Sequence, residues 1–198
     1  MRVIAGCAKG KYLNSPKGNS TRPIKNRIKE SLFNILSGEI PGSSILDLYA
    51  GSGAVGIEAL SRGAKSCIFV EKERSAIQVI KRNLESTGLQ EKANIIQGDV
   101  LGIFPFLEKK GITVNLLLAC PPYPLIEKSS YRDKLLIFFS LLSRERIVQP
   151  DGTMMLQQKT VLFDIPPEAT SLELFDTRVY GDTQLSFFRT QIRRGNVS

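Results

Sequence analysis

Ile45–Gly56, ILDLYAGSGAVG, is the stretch on which the fold of this chain turns. Ile45-Leu46-Asp47-Leu48-Tyr49 is a short apolar run interrupted by one acid, the pattern of a strand buried inside a parallel sheet. Gly51, Gly53 and Gly56 follow in G-x-G-x-x-G spacing, and Val55, Ala59 and Leu60 recur at helical spacing over Ala54–Arg62. The order is strand, glycine turn, helix. Glycines let the backbone turn tightly against a ligand, and a helix start offers free N–H groups and the positive end of its dipole. The stretch predicts a nucleotide-cofactor site.

Three glycines alone do not choose the cofactor. Glu71 follows Gly51 by 20 residues at the end of a second apolar strand, Cys67–Val70, where an acid accepts hydrogen bonds from a ribose. On these features NAD is a fair reading. Asp47 argues otherwise, because a carboxylate just before the glycines suits a positively charged cofactor better than a pyrophosphate. A third strand, Ala93–Gln97, ends in Gly98-Asp99, an acid placed for an adenine amino group. Three acids at three successive strands favour S-adenosylmethionine.

A chain of 198 residues suits one domain with an ample core, and 42% hydrophobic content is ordinary for a globular protein. The apolar stretches Leu116–Cys120 and Leu135–Leu142 are too short to span a bilayer, and Met1–Gly6 lacks the apolar segment of a secretion signal. Cys7, Cys67 and Cys120 are widely spaced without C-x-x-C, and there is no histidine. That argues against a zinc knuckle, a disulfide framework and His-based catalysis. The expectation is a cytoplasmic, monomeric protein without metal or membrane partner.

The net charge of +8 is concentrated at one end. Residues 1–29 hold eight bases and no acid, leaving 19 bases to balance 19 acids in the remainder. Such a segment suits a polyanion, RNA or DNA, although a solvated arm without a ligand is the plainer alternative. Its position beside a cofactor domain favours nucleic acid, with Arg2, Lys9, Lys11, Arg22, Lys25, Arg27 and Lys29 as contacts.

In chain order, Arg2–Ala5 and Lys11–Leu13 predict a small hairpin, and Asn14–Ser20 a loop. Pro23 opens a helix whose apolar stripe is Ile24, Ile28, Leu32, Ile35 and Leu36, leaving Lys25 and Lys29 to face water or phosphate. Beyond the glycine turn, helices are expected at Arg74–Ser86, Val100–Leu107 and Tyr131–Ile147, with further strands at Val114–Ala119 and Gly152–Gln157. Leu172–Tyr180 and Leu185–Gln191, joined by Gly181–Gln184, close the chain as an antiparallel pair. The alternation predicts an α/β fold, a doubly wound and mainly parallel sheet with its ligand at the carboxyl ends of the strands.

Cys120-Pro121-Pro122-Tyr123 ends the fourth of these strands. Paired prolines remove two N–H donors and stiffen the turn, leaving carbonyls free to accept. The tyrosine ring after them offers a platform for a planar base, and such a turn can hold an exocyclic amine facing a methyl donor.

With these residues the chain resembles the RsmD family, bacterial S-adenosylmethionine-dependent methyltransferases acting on guanine N2 in 16S ribosomal RNA. RVIAG at Arg2–Gly6, RPIKNRIKESLFNIL at Arg22–Leu36 and LDLYAGSGAVGIEALSRGA at Leu46–Ala64 carry the resemblance. FVEK at Phe69–Lys72, PPY at Pro121–Tyr123 and YGDTQLSFF at Tyr180–Phe188 extend it. It implies a Rossmann-like class I methyltransferase fold, with residues 1–21 as a basic N-terminal hairpin and arm and residues 22–198 as the methyltransferase domain. The arm up to Ser20 is expected to be dispensable for folding of the core. The resemblance further implies that Ala50, Gly51 and Gly53 line the methionine part of the cofactor. Glu71 and Lys72 would lie at its ribose, Asp99 and Val100 at its adenine, and Arg22 would help close the pocket. The implied partner is 16S rRNA within the assembling or assembled small subunit.

One residue departs from that pattern. The family has Asp or Asn before the two prolines, and this chain has Cys120, a weak hydrogen-bond acceptor. Slow transfer assisted by the Pro121 carbonyl or by a neighbouring acceptor is one outcome. A cofactor- and RNA-binding protein of ribosome assembly with weak or no transfer is the alternative. Cys120 as a nucleophile is the third reading, disfavoured because no basic neighbour is visible to lower its pKa.

Overall fold

Ser44–Leu48 (β1) sits inside the sheet, and only its first residue is partly exposed, as its near-continuous apolar sequence requires. The computed structural model describes residues 1–16 and 26–190. After Asn26–Ile35 (α1) and β1 come Ala54–Ser61 (α2), Ser66–Glu71 (β2), Arg74–Thr87 (α3), Ala93–Gln97 (β3) and Phe104–Lys109 (α4). Val114–Ala119 (β4), Tyr123–Ile126 (α5), Ser129–Arg144 (α6), Val148–Lys159 (β5), Leu172–Tyr180 (β6) and Thr183–Thr190 (β7) complete the described chain. The sheet has seven strands in the order β3-β2-β1-β4-β5-β7-β6. β1 to β5 are mutually parallel, and β7 runs antiparallel between β5 and β6. Strand order reverses between β1 and β4, and in open α/β sheets that switch point opens a crevice at the carboxyl ends.

Two apolar layers cover the sheet. One joins Ile28, Leu32 and Phe33 of α1, Ile57 and Leu60 of α2, and Ile80 and Leu84 of α3 to Ile45, Phe69, Leu118 and Met155 of the strands. The other joins Leu107 of α4 and Leu135, Phe139 and Leu142 of α6 to Leu46, Val70, Leu117 and Leu156. The apolar Leu135–Leu142 segment is explained: α6 fills this second layer. Segment boundaries moved where local turns intervened. A 3-10 turn at Val100–Gly102 precedes α4, and the short α5 follows directly on the Pro-Pro turn. β5 is longer than its apolar run, reaching Val148 and Lys159.

The N-terminal segment departs most from expectation. Arg2 and Tyr12 form a single antiparallel bridge, and Val3 N donates to the Lys11 carbonyl at 2.9 Å. Val3, Ala8 and Leu13 are buried in the first apolar layer, so part of the segment expected to be a separable arm packs into the core. Ile4 N and Ala5 N donate to the Glu58 carboxylate of α2 at 2.8 and 3.0 Å, and Ser61 Oγ donates to the Ala5 carbonyl at 2.6 Å. The expected boundary between residues 21 and 22 lies outside the described residues, as do Pro23, Ile24 and Gln191.

Lys29 is corrected with it. It is fully buried, not facing water or phosphate: Nζ lies 2.8 Å from Glu58 Oε2 and donates to the Arg2 carbonyl at 2.9 Å. The helix face is rotated from the expected stripe, burying Ile28, Lys29, Leu32 and Phe33 while Ile35 is exposed. A helix stripe read from apolar residues alone cannot place a lysine inside; its acid partner lies 29 residues further along the chain.

Candidate active site

The glycine turn is held from three sides. Ala50 N donates to Val70 at 3.1 Å, Gly51 N to Glu71 Oε2 at 2.8 Å, and Asn83 Nδ2 of α3 to the Ser52 carbonyl at 2.8 Å. Glu71 Oε1 also accepts from Lys72 N and Glu73 N at 2.8 and 2.9 Å, so one carboxylate at the end of β2 fixes both the turn and the start of the next loop. The three glycines have different duties. Gly51, at φ 56, faces open space: a Cβ there would meet only the Tyr49 carbonyl, at 3.8 Å. Gly53 spends its N–H on Ala50 at 2.7 Å, and a Cβ would press on Ile57 and Ile80 at 3.3 Å. Gly56 lets α2 settle on β2, since a Cβ would strike Phe69 at 2.3 Å. Of the three, Gly51 is the one open to a ligand; Gly53 and Gly56 serve packing.

Asp47 does not reach the crevice. It is 1% exposed, and its Oδ2 accepts from Gly56 N at 2.9 Å, anchoring the first turn of α2 to β1. Burial raises its pKa to about 7, with the Gly56 N–H opposing and the Glu71 charge adding to the rise. A carboxyl whose folded pKa lies above its ordinary 3.8 holds its proton more tightly folded than unfolded, so its contribution is fullest in acid and is lost as pH rises from 3.8 toward about 7. Asp47→Asn keeps an acceptor for Gly56 and is expected to flatten the decline of Tm over that window. Parallel melting curves of parent and variant check this, and identical slopes would exclude Asp47 as the titrating group.

The remaining acids and bases sort by exposure. Asp99 caps the turn after β3 by accepting from Leu101 N at 3.1 Å, and its Oδ2 lies 3.6 Å from Lys72 Nζ, both side chains being exposed. Val100 is buried in the second layer, so its side chain faces the core rather than a ligand. Arg2, Lys9, Lys11 and Arg27 are exposed; Arg22 and Lys25 lie outside the described residues.

Cys120-Pro121-Pro122-Tyr123 stands beside β1 across the switch point, with Cys120 N directed at the Leu48 carbonyl at 3.4 Å. Burial, aided by the Asp47 carboxylate, pushes the Cys120 thiol well above its ordinary range, which disfavours a nucleophilic thiolate. Tyr123 Oη shares a hydrogen with Thr183 Oγ1 at 2.7 Å and receives from Gln157 Nε2 at 3.4 Å. Tyr49, at φ 60 in the glycine turn, pairs its hydroxyl with Tyr131 of α6 at 2.8 Å.

Several residues here escaped the sequence reading. Asn83 is fully buried and joins the Ser52 carbonyl to Asn14, whose N–H it accepts at 2.8 Å. A polar residue on the inward stripe of α3, beside Ile80 and Leu84, was the available signal. Thr183 and Gln157 carried none, because only strand pairing, β4 with β5 for Gln157 and β5 with β7 for Thr183, brings them to Tyr123.

The chain is similar to known proteins along most of its length. A family model described as Conserved hypothetical protein 95 matches residues 1–189. "Putative rRNA methyltransferase YlbH" of Bacillus subtilis is 32% identical over 189 residues, covering 96% of this chain and 98% of its own. Ribosomal RNA small subunit methyltransferase D of Escherichia coli K12 is 35% identical over 123 residues, 62% of this chain and 60% of its own. Among solved structures, a hypothetical protein of Thermus thermophilus, TTHA0928, superposes with a TM-score of 0.75 at 29% identity, covering 94% of this chain and 98% of its own. With its sheet order, its glycine turn and a match running through residue 189, the chain belongs to the RsmD family of rRNA methyltransferases.

Proposed function

We propose that the protein transfers a methyl group from S-adenosylmethionine to the exocyclic N2 amine of a guanine in 16S rRNA of the small ribosomal subunit. The observation that carries this reading is one juxtaposition: the Gly51–Glu71 cradle and the Pro-Pro-Tyr turn flank the switch point of one sheet. The residues fit the cofactor. Gly51 leaves room where a side chain would stand, Glu71 Oε2 keeps a lone pair for a ribose hydroxyl, and Asp99 offers a carboxylate to an adenine amine.

Held by Gly51, Glu71 and Asp99, the cofactor would supply an activated methyl group, carried on a sulfonium, to the amine. The chain's own residues do the positioning. Tyr123, braced by Thr183, offers its ring to a flipped base, and stacking of that kind is worth about 1–3 kcal/mol. Exposed Arg2, Lys9, Lys11 and Arg27 supply charge for the RNA backbone, with Arg22 and Lys25 alongside them in sequence.

Cys120 favours a second reading, a cytoplasmic cofactor- and RNA-binding factor of ribosome assembly with little transfer, because a thiol orients an amine poorly. Incubation of small subunits lacking the modification with methyl-labelled cofactor, followed by nucleoside analysis, separates the two. N2-methylguanosine is expected. Cofactor and subunit binding without labelled nucleoside would establish the second reading instead.

A further inference from the structure

The site contains one acceptor with nothing to accept. β4 and β5 pair in parallel with Ala119 opposite Leu156, so Cys120 and Gln157 stand side by side one step beyond the last pair. Gln157 is 5% exposed, and its Oε1 is buried without a hydrogen-bond partner among the described residues. Its Nε2 is directed at Tyr123 Oη, 3.4 Å away. The amide therefore has one end on the tyrosine of the Pro-Pro-Tyr turn and the other end buried and unpartnered among the described residues. Buried carbonyls are nearly always satisfied, and an unsatisfied one beside a site is a candidate for a catalytic role.

We propose that Gln157 Oε1 is the acceptor for the amine to be methylated, supplying from β5 the hydrogen bond that the Cys120 thiol supplies weakly. The inference rests on the proposed amine transfer. The carbonyl receives one N–H of the amine, which fixes the nitrogen lone pair in direction, while Nε2 holds Tyr123 against the base. Oε1 is covered in the substrate-free chain, so the amine reaches it as the Pro-Pro-Tyr turn yields to the base, and the contact then forms without competing solvent. Gln158, on the opposite face of β5, also has an unpartnered amide among the described residues and makes no hydrogen bond to Tyr123, so it serves as the control.

The test is a double-mutant cycle on small subunits, read by transfer rate and by Tm. Gln157→Leu is expected to lower the rate about 100-fold, by analogy with removal of one hydrogen-bonding group from an oxyanion hole. In the Cys120→Asn background, where position 120 carries an acceptor again, the same change is expected to cost less than about threefold, a coupling between adjacent residues. Tm is expected to rise in Gln157→Leu, because an unsatisfied buried amide is replaced by an apolar side chain. Gln158→Leu is expected to keep the parent rate. Equal losses of rate in both backgrounds, or an equal loss in Gln158→Leu, would mean a structural role and overturn the inference while leaving guanine transfer standing. So would a Gln157→Leu rate within about twofold of the parent. Absence of transfer by both the parent and Cys120→Asn would overturn the proposed function, and this inference with it.

Discussion

Glu58→Ala is expected to cost about 3–5 kcal/mol of folding stability, the penalty of leaving one member of a buried ion pair without its partner. Glu58 is 0% exposed and receives four donors: Lys29 Nζ at 2.8 Å, Arg62 Nε at 2.9 Å, and the N–H groups of Ile4 and Ala5 at 2.8 and 3.0 Å. Alanine leaves the Lys29 ammonium in the core with only the Arg2 carbonyl, and it orphans both amides. At about 2–4 °C per kcal/mol for a chain of this size, Tm should fall by roughly 10 °C. Burial works to raise the Glu58 pKa, but Lys29, the Ile4 N–H and Arg62 outweigh it and hold the carboxyl below its ordinary 4.5. A carboxyl with a lowered folded pKa contributes stability above 4.5 that is lost as pH falls through the folded value, so Glu58→Gln should also flatten the acid limb of the Tm profile. A Glu58→Ala protein melting within a degree of the parent would show that the hairpin is held by Val3, Ala8 and Leu13 alone.

That cluster also gives the N-terminal segment a job beyond charge. The hairpin, α1 and α2 meet at one carboxylate, and α2 is capped by Gly53 of the glycine turn. Asn83 adds a second strap, from Asn14 to the Ser52 carbonyl. Removal of residues 1–13 therefore takes away core side chains and the donors to Glu58, and is expected to unfold the domain rather than trim it.

What was legible in the sequence follows from the range of the interactions. The β1 strand, the glycine turn and the antiparallel end are local patterns, with periodicity and glycines inside a dozen residues, and they appear where expected. The closeness of Glu71 to the glycine turn was legible because the strand–turn–helix unit fixes its distance from Gly51. Asp47 was misread for a complementary reason: its position before the glycines was correct, but strand alternation turns it inward to Gly56. Lys29, Asn83 and Gln157 take their roles from partners 29, 31 and 34 residues away. Charge and polarity were visible at those positions; the packing that satisfies them was not.

Restoring an oxygen acceptor at position 120 is expected to raise the transfer rate about tenfold, less than the 10²–10³ that one such contact is worth where no neighbour substitutes for it. The smaller gain follows from Gln157, whose carbonyl stands one strand away. The choice of acceptor matters, because position 120 is partly buried and lies within the field of Asp47. A carboxyl introduced there meets both desolvation and a like charge, which keep its proton on and cost stability. Cys120→Asn adds an amide carbonyl without that penalty and should reach its gain at neutral pH. Cys120→Asp should gain only as pH rises, with a lower Tm than the asparagine variant. Cys120→Ser should change the rate less than about twofold, since a hydroxyl at that position offers a shorter and differently directed acceptor. No protein–RNA adduct through Cys120 should form, because burial holds the thiol in its protonated, unreactive form. Rates on undermethylated small subunits, followed from pH 6 to 9 with denaturing gels to reveal any crosslink, provide the measurement. Both variants slower than the parent, or a crosslink lost on Cys120→Ser, would mean that the thiol does work which orientation of an amine does not require.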